Sequence, residues 1–220
     1  MRTALDEQAT PANLDAIVAH MVTEIRPRDT FVLYAAVHGY FHHGRFYLIP
    51  QDYQGGPDPQ ALATRAIDQL KLQDWIANRI KAKRTLILLD TCESGALIAG
   101  YGRSRFDGSP SDAAIGRLHE ATGRPVLTAA GLGQSALELP DLRYGVFTSA
   151  LVDAIYRGDT NSDGIVSASE LVAYVQNLVP QLIKDPQVRD EVMSRRPIGG
   201  VQSVRFGGRG EDFAFVHRLQ

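Results

Sequence analysis

The chain of 220 residues has a single cysteine, Cys92. One thiol cannot close an internal disulfide, so no covalent staple holds the fold, and the setting this implies is the reducing cytoplasm. Long apolar runs are missing too. No segment reaches the roughly 20 consecutive apolar residues a spanning helix needs, and none has the order of a signal peptide. Runs of lysine and arginine are short, the longest cluster lying over residues 81–84, and the formal net charge is −2. An electrostatic footprint for nucleic acid or for an anionic membrane surface is therefore absent from the sequence.

What is present is the composition of a globular protein: 44% hydrophobic and 22% charged residues, enough to bury a sizeable core in one domain. Thr10-Pro11 opens a helix in which Leu14, Ile17, Val18, Met21, Val22 and Ile25 recur at helical spacing. "TFVLYAAV" (30–37) is apolar on both faces, the pattern of a central parallel strand. A short strand (45–50), a loop (55–60) and a helix (about 71–82) follow, and "TLILLD" (85–90) is a second buried strand. Beyond a Gly-, Ser- and Pro-rich loop at 99–112 come a helix (113–121), a strand (125–130), two helices (145–157 and 170–179) and a last strand (213–217). Alternating strands and helices predict an α/β fold with a mostly parallel sheet, whose active site gathers at the carboxyl ends of the strands.

Two residues able to do chemistry stand at such ends. Cys92 follows "LILLDT" and His38 follows "LYAAV". A thiol attacks only as thiolate, and an imidazole in reach can take its proton and later return it to a leaving amine. Gly39 carries no side chain, so its backbone N–H can approach a developing oxyanion together with the N–H of Cys92. Taken singly, a lone cysteine is most often a small buried hydrophobe and a lone histidine a residue with a satisfied ring.

The segments "YAAVHGYFHHGRFYLIPQDY", "LILLDTCESG" and "GVFTSALVDAI" resemble blocks of the caspase-like cysteine proteases, and the nucleophile block is similar to the metacaspase and prokaryotic caspase-like form. The likeness runs over nearly the whole chain. It implies a caspase-hemoglobinase-like three-layer sandwich over residues 1–220, with His38 as general base and acid and Cys92 as nucleophile. It also implies peptide-bond hydrolysis through a thioester, with no cofactor required for the chemistry. Protein or peptide substrates are the expected partners, beside a regulatory partner or a flanking domain. The two residues lie 54 positions apart, near the caspase spacing of about 50. Two departures stand out. Val37 replaces the glycine or serine common before the histidine, and the edge strands that relatives carry at the N-terminus are missing from the pattern.

Asp90, two residues before Cys92, and Asp52, after the histidine block, are carboxylates where caspases that cleave after aspartate use other residues. A pair of carboxylates at a pocket floor favours a guanidinium, and the resemblance implies cleavage after Arg, with Lys second. The alternative is that Asp52 caps a turn and Asp90 hydrogen-bonds near the strand end. Arg103 and Arg105, in the loop after the nucleophile, are then sites for self-cleavage. "DTNSDGIVSASE" (159–170) fits a twelve-residue calcium loop, with Asp159, Asn161, Asp163, Ile165, Ser167 and Glu170 as ligands. The competing reading is a tight loop in which Ser167 or Ser169 caps the next helix. His38, His42 and His43 with Cys92 offer a zinc donor set, though the caspase-like blocks account for His38 better. A second class of function stays open: a protease-fold scaffold or calcium-responsive interaction module without turnover.

Overall fold

The computed structural model of the chain describes residues 1–42, 45–54, 58–91, 116, 119, 120, 122–129, 144–185, 202, 204–207 and 212–217. Helix α1 (Pro11–Glu24) starts as its sequence dictates. Pro11 takes the first helical position, where a missing N–H costs nothing, and the Thr10 hydroxyl accepts from the backbone N–H of Asn13 at 3.2 Å. Strands β1 (Thr30–Ala36), β2 (His38–His42) and β3 (Arg45–Ile49) follow. Next come α2 (Pro59–Arg65), capped by Asp58, and the two-residue strand β4 (Ile67–Asp68). Helix α3 (Gln69–Gln73) widens into a π-helical turn over Asp74–Arg79, closed by Ile80 N–H on the Trp75 carbonyl at 2.9 Å. The remaining elements are β5 (Arg84–Asp90), β6 (Val126–Thr128), α4 (Val146–Arg157), β7 (Ile165–Ser167), α5 (Ala168–Lys184), β8 (Arg205–Gly207) and β9 (Ala214–His217).

The main sheet has the order β1-β5-β6-β8, with β1, β5 and β6 parallel and β8 antiparallel. Its central strand is β5. Five consecutive residues, Thr85 to Leu89, are buried there because helices cover both faces. Leu86 and Leu88 join Leu127, Phe147, Leu151, Leu171 and Val175 in a cluster with α4 and α5. Ile87 and Leu89 point the other way, into a cluster with Val18 of α1 and with Leu72, Trp75 and Ile76 of the α3 region. Each fully buried leucine or isoleucine contributes about 1.5–3 kcal/mol of transfer free energy. A polar clip adds to the second layer: Asp15 of α1 accepts from Trp75 Nε1 at 2.6 Å and pairs with Lys71 Nζ at 2.7 Å. A second sheet, β2-β3-β4, is antiparallel, and β7 pairs with β9.

Two sequence expectations change, and one unassigned segment gains an element. Strand β1 is not central: among the described residues it lies at the sheet edge, and its residues alternate, with Val32 and Tyr34 exposed. The last long helix does not stop at 179. It runs through Pro180 to Lys184, because Val179 and Ile183 bury against the core and offset the one backbone hydrogen bond that proline removes. The segment from His38 is a strand, paired with β3 so that Gly39 faces Leu48. Among the described residues no helix is long and apolar enough to cross a membrane.

Candidate functional site

Strands β1 and β5 run parallel with Ala36 opposite Asp90. Their carboxyl ends therefore leave the sheet side by side, at about the 4.8 Å spacing of paired strands. Beyond Ala36 the chain passes Val37 to His38, the first residue of β2, which is exposed and opposite Ile49. Beyond Asp90 it passes the buried Thr91, which Cys92 follows in the sequence. Cys92 itself lies outside the described residues, as do Arg103 and Arg105.

Gly39 is buried and fits against the other strand end. A Cβ placed on it would stand 3.2 Å from Thr91 Cβ and 3.1 Å from Phe46 Cε2, so the absence of a side chain is what lets β2 close on Thr91. The histidine segment and the residue next to the cysteine are in this way held together by backbone packing.

Asp90 is half-buried, and its Oδ2 accepts from Thr148 Oγ1 at 2.5 Å. The Tyr34 hydroxyl lies 2.7 Å from the same Thr148 oxygen. Since the single hydroxyl proton of Thr148 points to the carboxylate, Tyr34 is the donor in the second bond. Three elements thus meet at one carboxylate: β5 supplies Asp90, the first turn of α4 supplies Thr148, and β1 supplies Tyr34. Burial pushes the Tyr34 phenol above its ordinary pKa. The negative charge of Asp90 pushes it in the same direction. Asp52 is placed differently. It is exposed in the turn after β3, which Tyr53 N–H closes on the Pro50 carbonyl at 3.1 Å. The two carboxylates expected in one pocket therefore come from different sheets.

The loop at 159–170 uses its carboxylates on its own backbone. Asp159 accepts from the N–H groups of Asp163 and Gly164, each at 3.1 Å, and Asp163 accepts from Ile165 N–H at 2.8 Å. Glu170 Oε1 takes Thr160 Oγ1 at 2.9 Å and the N–H groups of Thr160 and Asn161 at 3.1 and 3.3 Å. Its Oε2 takes Ser167 N–H at 3.0 Å, which with Ser167 as N-cap of α5 makes a capping box. The backbone bond from Ser167, then the hydroxyl of Thr160, hold the Glu170 carboxyl below its ordinary pKa. Gly164, at φ +85°, makes the turn. This arrangement matches the capped-loop reading. Asp159, Asn161, Asp163, Ile165, Ser167 and Glu170 form a hydrogen-bonded turn, and among the described residues no group of three or more His, Cys, Asp or Glu is gathered to hold a metal ion. Of the zinc donor set, His43 and Cys92 lie outside the described residues.

Sequence reasoning did not find Tyr34 or Thr148. The available signals were weak: a phenol within an otherwise apolar strand, and a hydroxyl in the first turn of a helix whose neighbours Val146 and Phe147 are both fully buried.

No family model and no curated protein matches the chain. Among solved structures it is similar to protein GSU0716 from Geobacter sulfurreducens, at 15% identity and a TM-score of 0.52, over 96% of this chain and 78% of that one. At that identity the likeness is one of fold.

Proposed function

We propose that the chain is a caspase-like cysteine endopeptidase in which Cys92 is the nucleophile and His38 the general base and acid, cleaving after arginine and, second, after lysine. The observation that carries this reading is the register of β1 on β5. With Ala36 opposite Asp90, His38 and Cys92 are each the second residue beyond a paired position. A sheet with helices on both faces and the fit of Gly39 against Thr91 support it.

In this mechanism His38 takes the Cys92 proton and the thiolate adds to the scissile carbonyl. The backbone N–H groups of Gly39 and Cys92 face the oxyanion, and collapse to the thioester expels the amine, which receives the proton from His38. Water, deprotonated by His38, then releases the acid and restores the thiol. Asp90 supplies negative charge beside the reacting strand end, suited to a basic substrate side chain, and the exposed Asp52 would join it as a second carboxylate only at the rim of the cleft. Self-cleavage after Arg103 or Arg105 follows from the same specificity. Fragments ending there in wild type and absent from Cys92→Ala, by intact mass, are the expected result.

The test is a fluorogenic panel with Arg, Lys or Asp before the scissile bond, run on wild type, Cys92→Ala and His38→Ala. Cleavage of the arginyl peptide by wild type, lost by at least about a thousandfold in both variants, is expected, because the members of such a unit fail together. A scaffold without turnover would cleave no peptide. Equal rates for Asp and Arg peptides would refute the basic pocket.

A further inference from the structure

On this reading Asp90 has to present its carboxylate to a planar guanidinium, and the structure shows what orients it. We infer that Thr148 and Tyr34 are specificity-determining positioning residues: through the chain Tyr34 to Thr148 to Asp90 they fix the plane of the Asp90 carboxylate and so set the preference for arginine over lysine. The inference rests on the protease reading above.

The geometry supports each link. A carboxylate at the end of a strand can turn about its last side-chain bond unless a donor stops it, and Thr148 Oγ1 donates to Oδ2 at 2.5 Å. Thr148 is itself a rigid donor. It is β-branched, so its first side-chain torsion has few choices in a helix, and it stands in the first turn of α4 beside Val146 and Phe147, both fully buried. Its hydroxyl cannot turn away freely either, because Tyr34 donates to it at 2.7 Å from the neighbouring strand β1. The three groups form a hydrogen-bond chain polarised toward the negative charge, in which each bond strengthens the next.

The consequence differs between the two basic side chains. Guanidinium binding is planar and bidentate, so it depends on the plane of the carboxylate. An ammonium is a compact point charge with rotatable donors and is nearly indifferent to that plane. Loosening Asp90 therefore weakens arginine more than lysine. Loss of charge at Asp90, by contrast, would weaken both.

The experiment compares kcat and KM for matched arginyl and lysyl peptides in wild type, Thr148→Val, Thr148→Ser and Tyr34→Phe, each checked for folding by circular dichroism. Thr148→Val keeps shape and removes the donor; it should lower the Arg/Lys ratio of kcat/KM about tenfold, chiefly through the KM of the arginyl peptide. Thr148→Ser restores a hydroxyl and should keep the ratio within about threefold of wild type, while Tyr34→Phe should lie between the two. A folded Thr148→Val enzyme that keeps the wild-type ratio, or an equal fall in Thr148→Ser, overturns the inference and leaves the protease reading standing. A wild type that cleaves neither peptide overturns both. The hydrogen-bond chain has its own readout: the Tyr34 phenol, followed by NMR of labelled tyrosine, should titrate above ordinary tyrosine and move down in Asp90→Asn. An unshifted phenol in wild type overturns the chain.

Discussion

Gly39 packs against Thr91 so closely that a methyl group on it would lie 3.2 Å from the threonine Cβ. One of these residues follows the candidate base and the other precedes the candidate nucleophile, so the packing of β2 on the end of β5 sets the spacing of the site. Gly39→Ala is the direct probe. The Phe46 ring edge can give way but the Thr91 Cβ sits on the backbone, so the strand end must move by a few tenths of an ångström. The expected outcome is a fold that survives with a loss of about 1–2 kcal/mol, and peptidase activity reduced at least about tenfold. Thermal melting and kcat on the arginyl peptide, measured side by side, check it.

Helix α4 carries Thr148 and is anchored by its neighbour Phe147, which is fully buried between β5, β6 and α5. Phe147→Ala removes that anchor, and urea unfolding should show a loss of about 3–5 kcal/mol. A loss below about 1 kcal/mol would mean that α4 is held by something other than this core.

Gly158 ends α4 where a Cβ would stand 2.4 Å from the Ala154 carbonyl oxygen and 3.1 Å from Val166 Cγ1. Backbone cannot yield as a side chain can, so Gly158→Ala should cost about 1–3 kcal/mol, although its φ of −74° is open to any residue. Chemical denaturation of the single variant measures it.

The loop at 159–170 should loosen in acid. The folded pKa of Glu170 is held below its ordinary value, by the Ser167 backbone first and the Thr160 hydroxyl next. Its stabilisation is therefore fully present above the unfolded pKa of about 4.3 and is lost as the pH falls through the folded value. Amide exchange at Thr160, Asn161 and Ser167 should accelerate over that range in wild type. In Glu170→Gln it should be fast already at neutral pH.

Calcium tests the same loop differently. Both oxygens of Glu170 accept from the loop or from the α5 cap, and bidentate coordination would have to release those donors. Titration calorimetry with calcium in the millimolar range should show no saturable heat. A heat that disappears in Glu170→Gln would contradict the hydrogen-bonded arrangement.

How much of this was legible in the sequence depended on whether one pattern had one physical meaning. The run over 85–89 came close: five successive uncharged residues, too few for a buried helix and rich in leucine and isoleucine, fit a strand covered on both faces, and β5 is that strand. The run over 30–37 did not, because Val32 and Tyr34 are apolar or nearly so, yet stand exposed on β1. The calcium-loop pattern was ambiguous for a chemical reason: the carboxylates that could face a cation serve equally well as acceptors for loop N–H groups. The helix expected over 170–179 runs on through Pro180 because Val179 and Ile183 are buried on either side of it. The place of His38 and Gly39 just past an apolar strand was legible from the run before them, but Thr148 comes from a helix more than a hundred residues beyond Tyr34. No local spacing could join the two.

The central claim is a nucleophilic thiol at Cys92 that His38 activates. Its most direct test is covalent labelling with an arginyl chloromethyl ketone, read by intact mass and peptide mapping on wild type, His38→Ala and Cys92→Ala. The account predicts one adduct per chain in wild type, located on Cys92, with labelling slowed at least about a hundredfold in His38→Ala and absent in Cys92→Ala. Equal labelling of wild type and His38→Ala, or no adduct on Cys92 in wild type, would contradict it.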